Sequence, residues 1–306
     1  WGIGRFPTLA GFFTAGAELG FDRFELNHAI DSKLLATANL DSVIIPSVHE
    51  PCPSDTPPSE LKKRNWLISA LDEENRRQGV AAVKRSIDLA AQLGAQAVVV
   101  HPGGVEGIEK LDSALRHLYE QGHFGQPEYE LAKSRLIEER ASRAPAHLRS
   151  VRRSLPDLAE HASRLGVRLG LENRYHYMDI PQPDELEELL DLGLGETVGY
   201  WHDVGHAQTL ESLGFASHEE WLRRFASRIV GVHLHDLVGI QDHKAAGRGT
   251  MDWDLVARCV PASALRTCEF HPDNTPEQVS SGLRLLLKNG CVPVAEPERT
   301  GLGQAS

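Results

Sequence analysis

The sequence predicts an α/β protein, a (β/α)8 TIM barrel with a helical insertion after strand four. Three observations carry that prediction. Short apolar runs alternate with helix-like stretches along almost the whole chain, which is the order of repeated βα units. Several of these runs stop at a His or a carboxylate, as a buried parallel strand does when it delivers a side chain at its C-terminal edge. The length agrees: 306 residues suit one such barrel, which takes roughly 250, so residues 1–306 read as a single domain.

Gly2 to Phe6 is expected as the first strand, and Leu9 to Leu19 as a helix closed by Gly20. Asp22 to Leu26 alternates as a second strand. Asp31 caps a brief helix, and Val43 to Val48 forms the third strand. The following EPCPSDTPPSE is too rich in proline for regular structure. A long amphipathic helix from Glu73 to Leu93, closed by Gly94, leads to Ala97–Val100, the fourth strand. Val167–Leu171, Thr197–His202, Ile229–Leu234 and Leu265–Phe270 are the fifth to eighth strands. Helices fit at Pro183–Leu192, His218–Ala226, Trp253–Cys259 and Pro276–Asn289. The interval between His101 and Val167 is about twice what one βα connection needs. Its helical stretches Ile108–Glu120, Glu128–Arg140 and Leu148–Leu165 place an insertion at approximately 104–150 on the C-terminal face, as a lid or a dimer contact.

A hydrophobic content of 41% and a charged content of 25% are those of an ordinary globular chain. The formal charge of −11 disfavours nucleic acid and anionic membranes as partners. No apolar stretch reaches the roughly 20 residues that span a bilayer. Cys52, Cys259, Cys268 and Cys291 contain no CxxC pair, so neither a zinc knuckle nor a redox motif is supported. Reduced thiols and a cytoplasmic setting are expected. Cys52, close to His49, is a weak candidate for lining the site.

The ends of the predicted strands hold the chemistry. Glu172, Asp203, His233 and Glu269 follow strands five to eight, which are neighbours in a barrel, so the four side chains share one small volume. Three carboxylates that close need a cation to offset their repulsion. A mixed oxygen and nitrogen set suits manganese, zinc, cobalt or iron better than calcium. One ion is expected, with up to three if the outer histidines join. Those are His49 and His101, which end strands three and four; His206, three residues after Asp203; and Asp242 with His243 in the loop after strand seven. Each of these is a candidate either for additional metal or for substrate oxygens. Gly247 and Gly249 let the KAAGRG segment close over a ligand, and Arg248 between them is a candidate for an anionic group. His176 is a weaker substrate-contact candidate. His202, His235 and His271 are expected to point elsewhere, and His28 is given no chemistry.

Taken together, HPGG at His101, LEN at Glu172 and Asn173, DxxH at Asp203 and His206, VHLHD at His233, HxxxGxG at His243 and CEF at Glu269 resemble the xylose isomerase-like barrel superfamily. That superfamily includes sugar-phosphate isomerases and epimerases and endonuclease IV. The resemblance implies one divalent metal on the Glu172, Asp203, His233, Glu269 quartet, chelating adjacent oxygens of a hydroxy-carbonyl compound and stabilising an enediolate. It further implies Glu172 and Glu269 as general base and acid, with His206 on a substrate hydroxyl. Endonuclease IV is similar in a second way, through histidines matching His49 and His101 and an Asp-x-His loop. Here that loop reads Gln241-Asp242-His243, with the aspartate displaced by one residue. The resemblance thus implies a metal-dependent isomerase or epimerase of a small sugar-like substrate. A zinc phosphodiesterase, a dehydratase-type lyase and a metabolite-binding barrel stay open. The oligomeric state stays open too, a homodimer through exposed helices among the alternatives.

Overall fold

A computed structural model describes residues 2–293. Six parallel strands form its main sheet: β1 Ser47–His49, β2 Ala97–Val100, β3 Arg168–Glu172, β4 Val198–Asp203, β5 Ile229–Leu234 and β8 Leu265–Cys268, hydrogen-bonded in that order. A separate antiparallel hairpin, β6 Asp236–Val238 and β7 Gln241–Lys244, follows β5. The sheet is a nearly closed barrel wrapped by helices, as the alternation of apolar runs predicts.

Two predicted strands differ. Gly2 to Phe6 is a 3-10 turn at Ile3–Arg5, entered through Gly2 at φ 64°; two of its five residues are glycine, which gives a strand little to pack. Asp22 to Leu26 contributes only single parallel bridges, Arg23 to Ile44 and Leu26 to Val48. Among the described residues this segment pairs on one side alone. The Pro-rich loop also contains a short helix, Pro58–Lys63, because Pro58 sits at the first helical turn, where a missing N–H costs nothing.

The insertion is present, but as two helices rather than three: Glu109–Glu120 and a continuous Pro127–Arg164. Pro145 and Pro156 lie inside the latter, so the break expected between Arg140 and Leu148 does not occur. A helix absent from the sequence reading, Val204–Ser212, starts directly after β4, with Asp203 accepting from the backbone N–H of His206 as its cap. Among the described residues no helix is long and apolar enough to cross a membrane.

Alternation along the strands separates two cores. Val98, Val100, Leu169, Leu171, Tyr200 and Val232 pack outward against the helices, whereas Ala97, Val99, Trp201 and Val230 fill the barrel interior. Trp201 explains the glycines around it. A Cβ on Gly231 would lie 2.1 Å from its ring, and one on Gly170 2.9 Å. Continuing at period two from Val99, Gly170, Trp201 and Gly231 leads to His101, Glu172, Asp203 and His233, and Leu265, packed on the same interior, leads to Glu269. The filled interior is the floor, and the ligand-type side chains form the layer above it.

Candidate metal and active site

Glu172, Asp203, His233 and Glu269 place one ligand atom each within 4.8 Å of one another. Their centre is His233 Nδ1, which faces Glu172 Oε1 at 2.7 Å, Glu269 Oε2 at 3.1 Å and Asp203 Oδ2 at 3.5 Å. Side chains of Glu172, Asp203 and His233 are at most 1% exposed, whereas Glu269 is 21% exposed, so only Glu269 of the four opens to solvent.

Burial opposes charge on all four groups, and their neighbours overturn it. The Arg174 guanidinium and His101 hold the Glu172 carboxyl well below the usual range, and His206 and His235 do the same for Asp203. Next to Glu269, His233 and His243 are the cause. Glu269 and Glu25 hold His233 well above the ordinary imidazole value. One imidazolium facing three carboxylates is a poor charge balance; a divalent ion on three oxygens and one nitrogen is a better one. The donor set therefore fits a metal, and His233 is arranged to join it by giving up the Nδ1 proton.

The outer histidines reach the same volume. The ring of His49 donates from Nδ1 to the Glu50 carbonyl at 2.9 Å, which turns Nε2 into the site, 3.1 Å from His101 Nε2 and 3.8 Å from Glu172. His101 Nε2 is 2.9 Å from the other Glu172 oxygen. His206 donates from Nδ1 to the Asn173 carbonyl at 3.0 Å, so its Nε2 is free to receive a proton or an ion, 3.5 Å from Asp242. His243 contacts Asp242 at 2.9 Å and Glu269 at 3.6 Å. It is held at φ 55°, a conformation a non-glycine residue adopts at a cost.

Two members of the site escaped sequence reasoning. His235, expected to point elsewhere, donates from Nε2 to both Asp203 oxygens, at 2.8 and 3.0 Å. Its Nδ1 accepts the backbone N–H of His243 at 2.9 Å. That tautomer makes His235 an orienter of Asp203 rather than a ligand, although its position groups it with Asp203, His206 and His243. The signal was the His-x-His spacing of His233 and His235, which share a face at period two. Arg174, two residues after Glu172, forms a close ion pair with Glu172 Oε2 and covers it from the mouth.

Other candidates lie apart. Arg248 is exposed, and its described hydrogen bond is a backbone one to Ala245; the structure brings it into no contact with the quartet. His176 Nδ1 binds Asp112 at 2.6 Å, on the insertion helix. Cys52 packs in the outer core, its Sγ toward the Ile30 carbonyl, and burial pushes the thiol up to about 12. His202 turns away, as expected, toward His218 at 2.9 Å. The KAAGRG segment is tied down by buried Asp236, whose carboxylate accepts from the backbone N–H of Leu237, Gly247 and Met251.

The ligand-type side chains gather at the C-terminal ends of the strands, the face on which barrels of this fold carry their active sites. The model of the xylose isomerase-like TIM barrel family matches residues 13–289, and the chain belongs to that family. Among curated relatives, the uncharacterized protein y4fM of Sinorhizobium fredii is 24% identical over 217 residues, covering 69% of this chain and 57% of the relative. The chain thus spans little more than half the length of that relative. Among solved structures, a D-tagatose 3-epimerase-like protein aligns over 92% of this chain and 93% of its own, with a TM-score of 0.64 and 19% identity. The IOLI protein with a binding zinc atom aligns over 92% and 93%, with a TM-score of 0.61 and 16% identity. At those identities the likeness is one of fold.

Proposed function

We propose that the protein is a divalent-metal-dependent isomerase or epimerase of a small sugar-like hydroxy-carbonyl compound. The observation that carries this reading is the convergence of three carboxylates on His233 Nδ1 at the strand ends, with Glu269 alone open to solvent. Glu172, Asp203, His233 and Glu269 would hold the ion, which supplies a Lewis acid for neighbouring substrate oxygens. Glu172 and Glu269 act as general base and acid on opposite faces of the substrate, one removing the carbon-bound proton and the other returning one. His206, with a bare Nε2, holds a substrate hydroxyl, and His101, at 29% side-chain exposure, contacts the substrate from the opposite side.

The test is turnover of ketoses and their epimers by the metal-loaded enzyme, with product analysis and uptake of deuterium from solvent. Glu269→Gln should lower kcat by roughly 10²–10⁴-fold while the fold and melting temperature persist; wild-type activity in that variant would remove Glu269 from the chemistry. A second reading, a zinc phosphodiesterase, is favoured by one arrangement, the His49 and His101 nitrogens 3.1 Å apart beside Glu172. Two or three metals per chain and cleavage of phosphodiesters would support it. A dehydratase-type lyase would reveal itself by loss of water from the substrate.

A further inference from the structure

His233 has a second ring nitrogen, and its partner is a residue the strand-end motifs do not include. Nε2 lies 3.0 Å from Glu25 Oε1. Glu25 sits between outward-packed Phe24 and Leu26, so period two turns it into the barrel. Its side chain is 6% exposed, and its other oxygen accepts from Ser47 Oγ at 2.6 Å and from Thr267 Oγ1 at 3.4 Å. Two hydroxyls on different strands therefore fix one carboxylate oxygen and aim the other at His233.

From this geometry we infer that Glu25 is a positioning residue, which accepts a hydrogen bond from Nε2–H of His233, keeps the proton on that nitrogen and so presents a bare Nδ1 to the ion held by Glu172, Asp203 and Glu269. The inference rests on the metal-dependent reading above, though not on which reaction the metal serves. A ligating imidazole needs one bare nitrogen in a fixed direction. A carboxylate on the far nitrogen sets both the tautomer and the ring orientation, and raises the ligand's basicity. Glu25 is buried, and its described side-chain partners are His233, Ser47 and Thr267. It acts through another residue, and it does so from the segment whose strand pairing is reduced to single bridges. Side-chain hydrogen bonds to β1 and β8, through Ser47 and Thr267, hold it instead.

The experiment compares wild type, Glu25→Ala and Glu25→Gln for zinc affinity, by competition with a chromophoric chelator, and for the visible spectrum of the cobalt(II)-loaded protein. Glu25→Ala should bind zinc 10- to 100-fold more weakly and shift the cobalt bands, since the His233 ring is no longer oriented. Glu25→Gln, whose amide oxygen still accepts from Nε2, should restore most of the affinity. Affinity and spectrum unchanged in Glu25→Ala would overturn the inference while leaving the metal site in place. Should Glu25→Ala fail to fold, Glu25→Met, which fills the space but cannot accept from Nε2, carries the comparison, and wild-type affinity with unshifted cobalt bands in it would overturn the inference. Wild-type protein that takes up no metal at all would instead sink the functional reading itself.

Discussion

At the scale of single residues, the site and its floor obey one rule: what fits at a strand position depends on the side chain across the barrel. Trp201 occupies space that Gly231, its partner on β5, leaves open. Gly231→Ala would place a Cβ 2.1 Å from the ring. Overpacking of this kind costs about 1–3 kcal/mol. The variant should melt several degrees lower than wild type and bind metal less tightly, because His233 is two residues on; an unchanged melting temperature would show that Trp201 can re-orient at little cost. The quartet was legible because its residues end apolar runs. Glu25, Arg174 and His235 were not read, since each needs a fact of orientation. Glu25 must be seen to face inward, Arg174 to fold back over Glu172, and His235 to stay on the face of His233 after β5 has ended.

Elements show where local preference prevails and where it yields. Strands β2 and β5 lie where their apolar runs predict, because buried parallel strands are continuous hydrophobic segments flanked by turns. The first two predicted strands lacked that support: one is glycine-rich, the other alternates but has a partner on one edge only. The 204–212 helix was hidden behind Asp203, a residue that serves both as cap and as candidate ligand. Outside β4, Tyr200, His202 and His218 form a buried hydrogen-bonded chain. Burial drives His202 well below the ordinary imidazole value and His218 down to about 4. A neutral imidazole in the fold that titrates near 6.5 in the unfolded chain leaves the unfolded state with more bound protons between those values. Stability from His218 is therefore complete above pH 6.5 and is lost as pH falls toward 4, by something on the order of 3 kcal/mol. Melting temperature should drop between pH 7 and pH 5 in wild type and drop less in His218→Gln. Parallel pH profiles for the two proteins would place the acid sensitivity elsewhere.

For the whole molecule, the dominant feature is negative charge gathered at one end of a barrel. The formal charge is −11, and Glu172, Asp203, Glu269, Asp242 and Glu25 all approach the same mouth or the layer just beneath it. Arg174 and the imidazolium forms of His233 and His243 offset part of that repulsion; a divalent ion bound to the folded state would offset more. Binding to the native state alone stabilises it by about 2.7 kcal/mol when free metal is 100-fold above Kd. For a chain of this size that should raise the melting temperature by roughly 5 °C, and a chelator should reverse the rise. The effect should also grow with pH, because His233 must release its Nδ1 proton before it can ligate, and that proton is held more tightly than in a free imidazole. Thermal melts with manganese, cobalt or zinc at pH 6 and pH 8, on wild type and Asp203→Asn, decide the matter. A larger rise at pH 8, abolished in Asp203→Asn, is the expected result. Equal melting temperatures with metal and with chelator at both pH values would mean that the convergent carboxylates are balanced by Arg174, His233 and His243 alone.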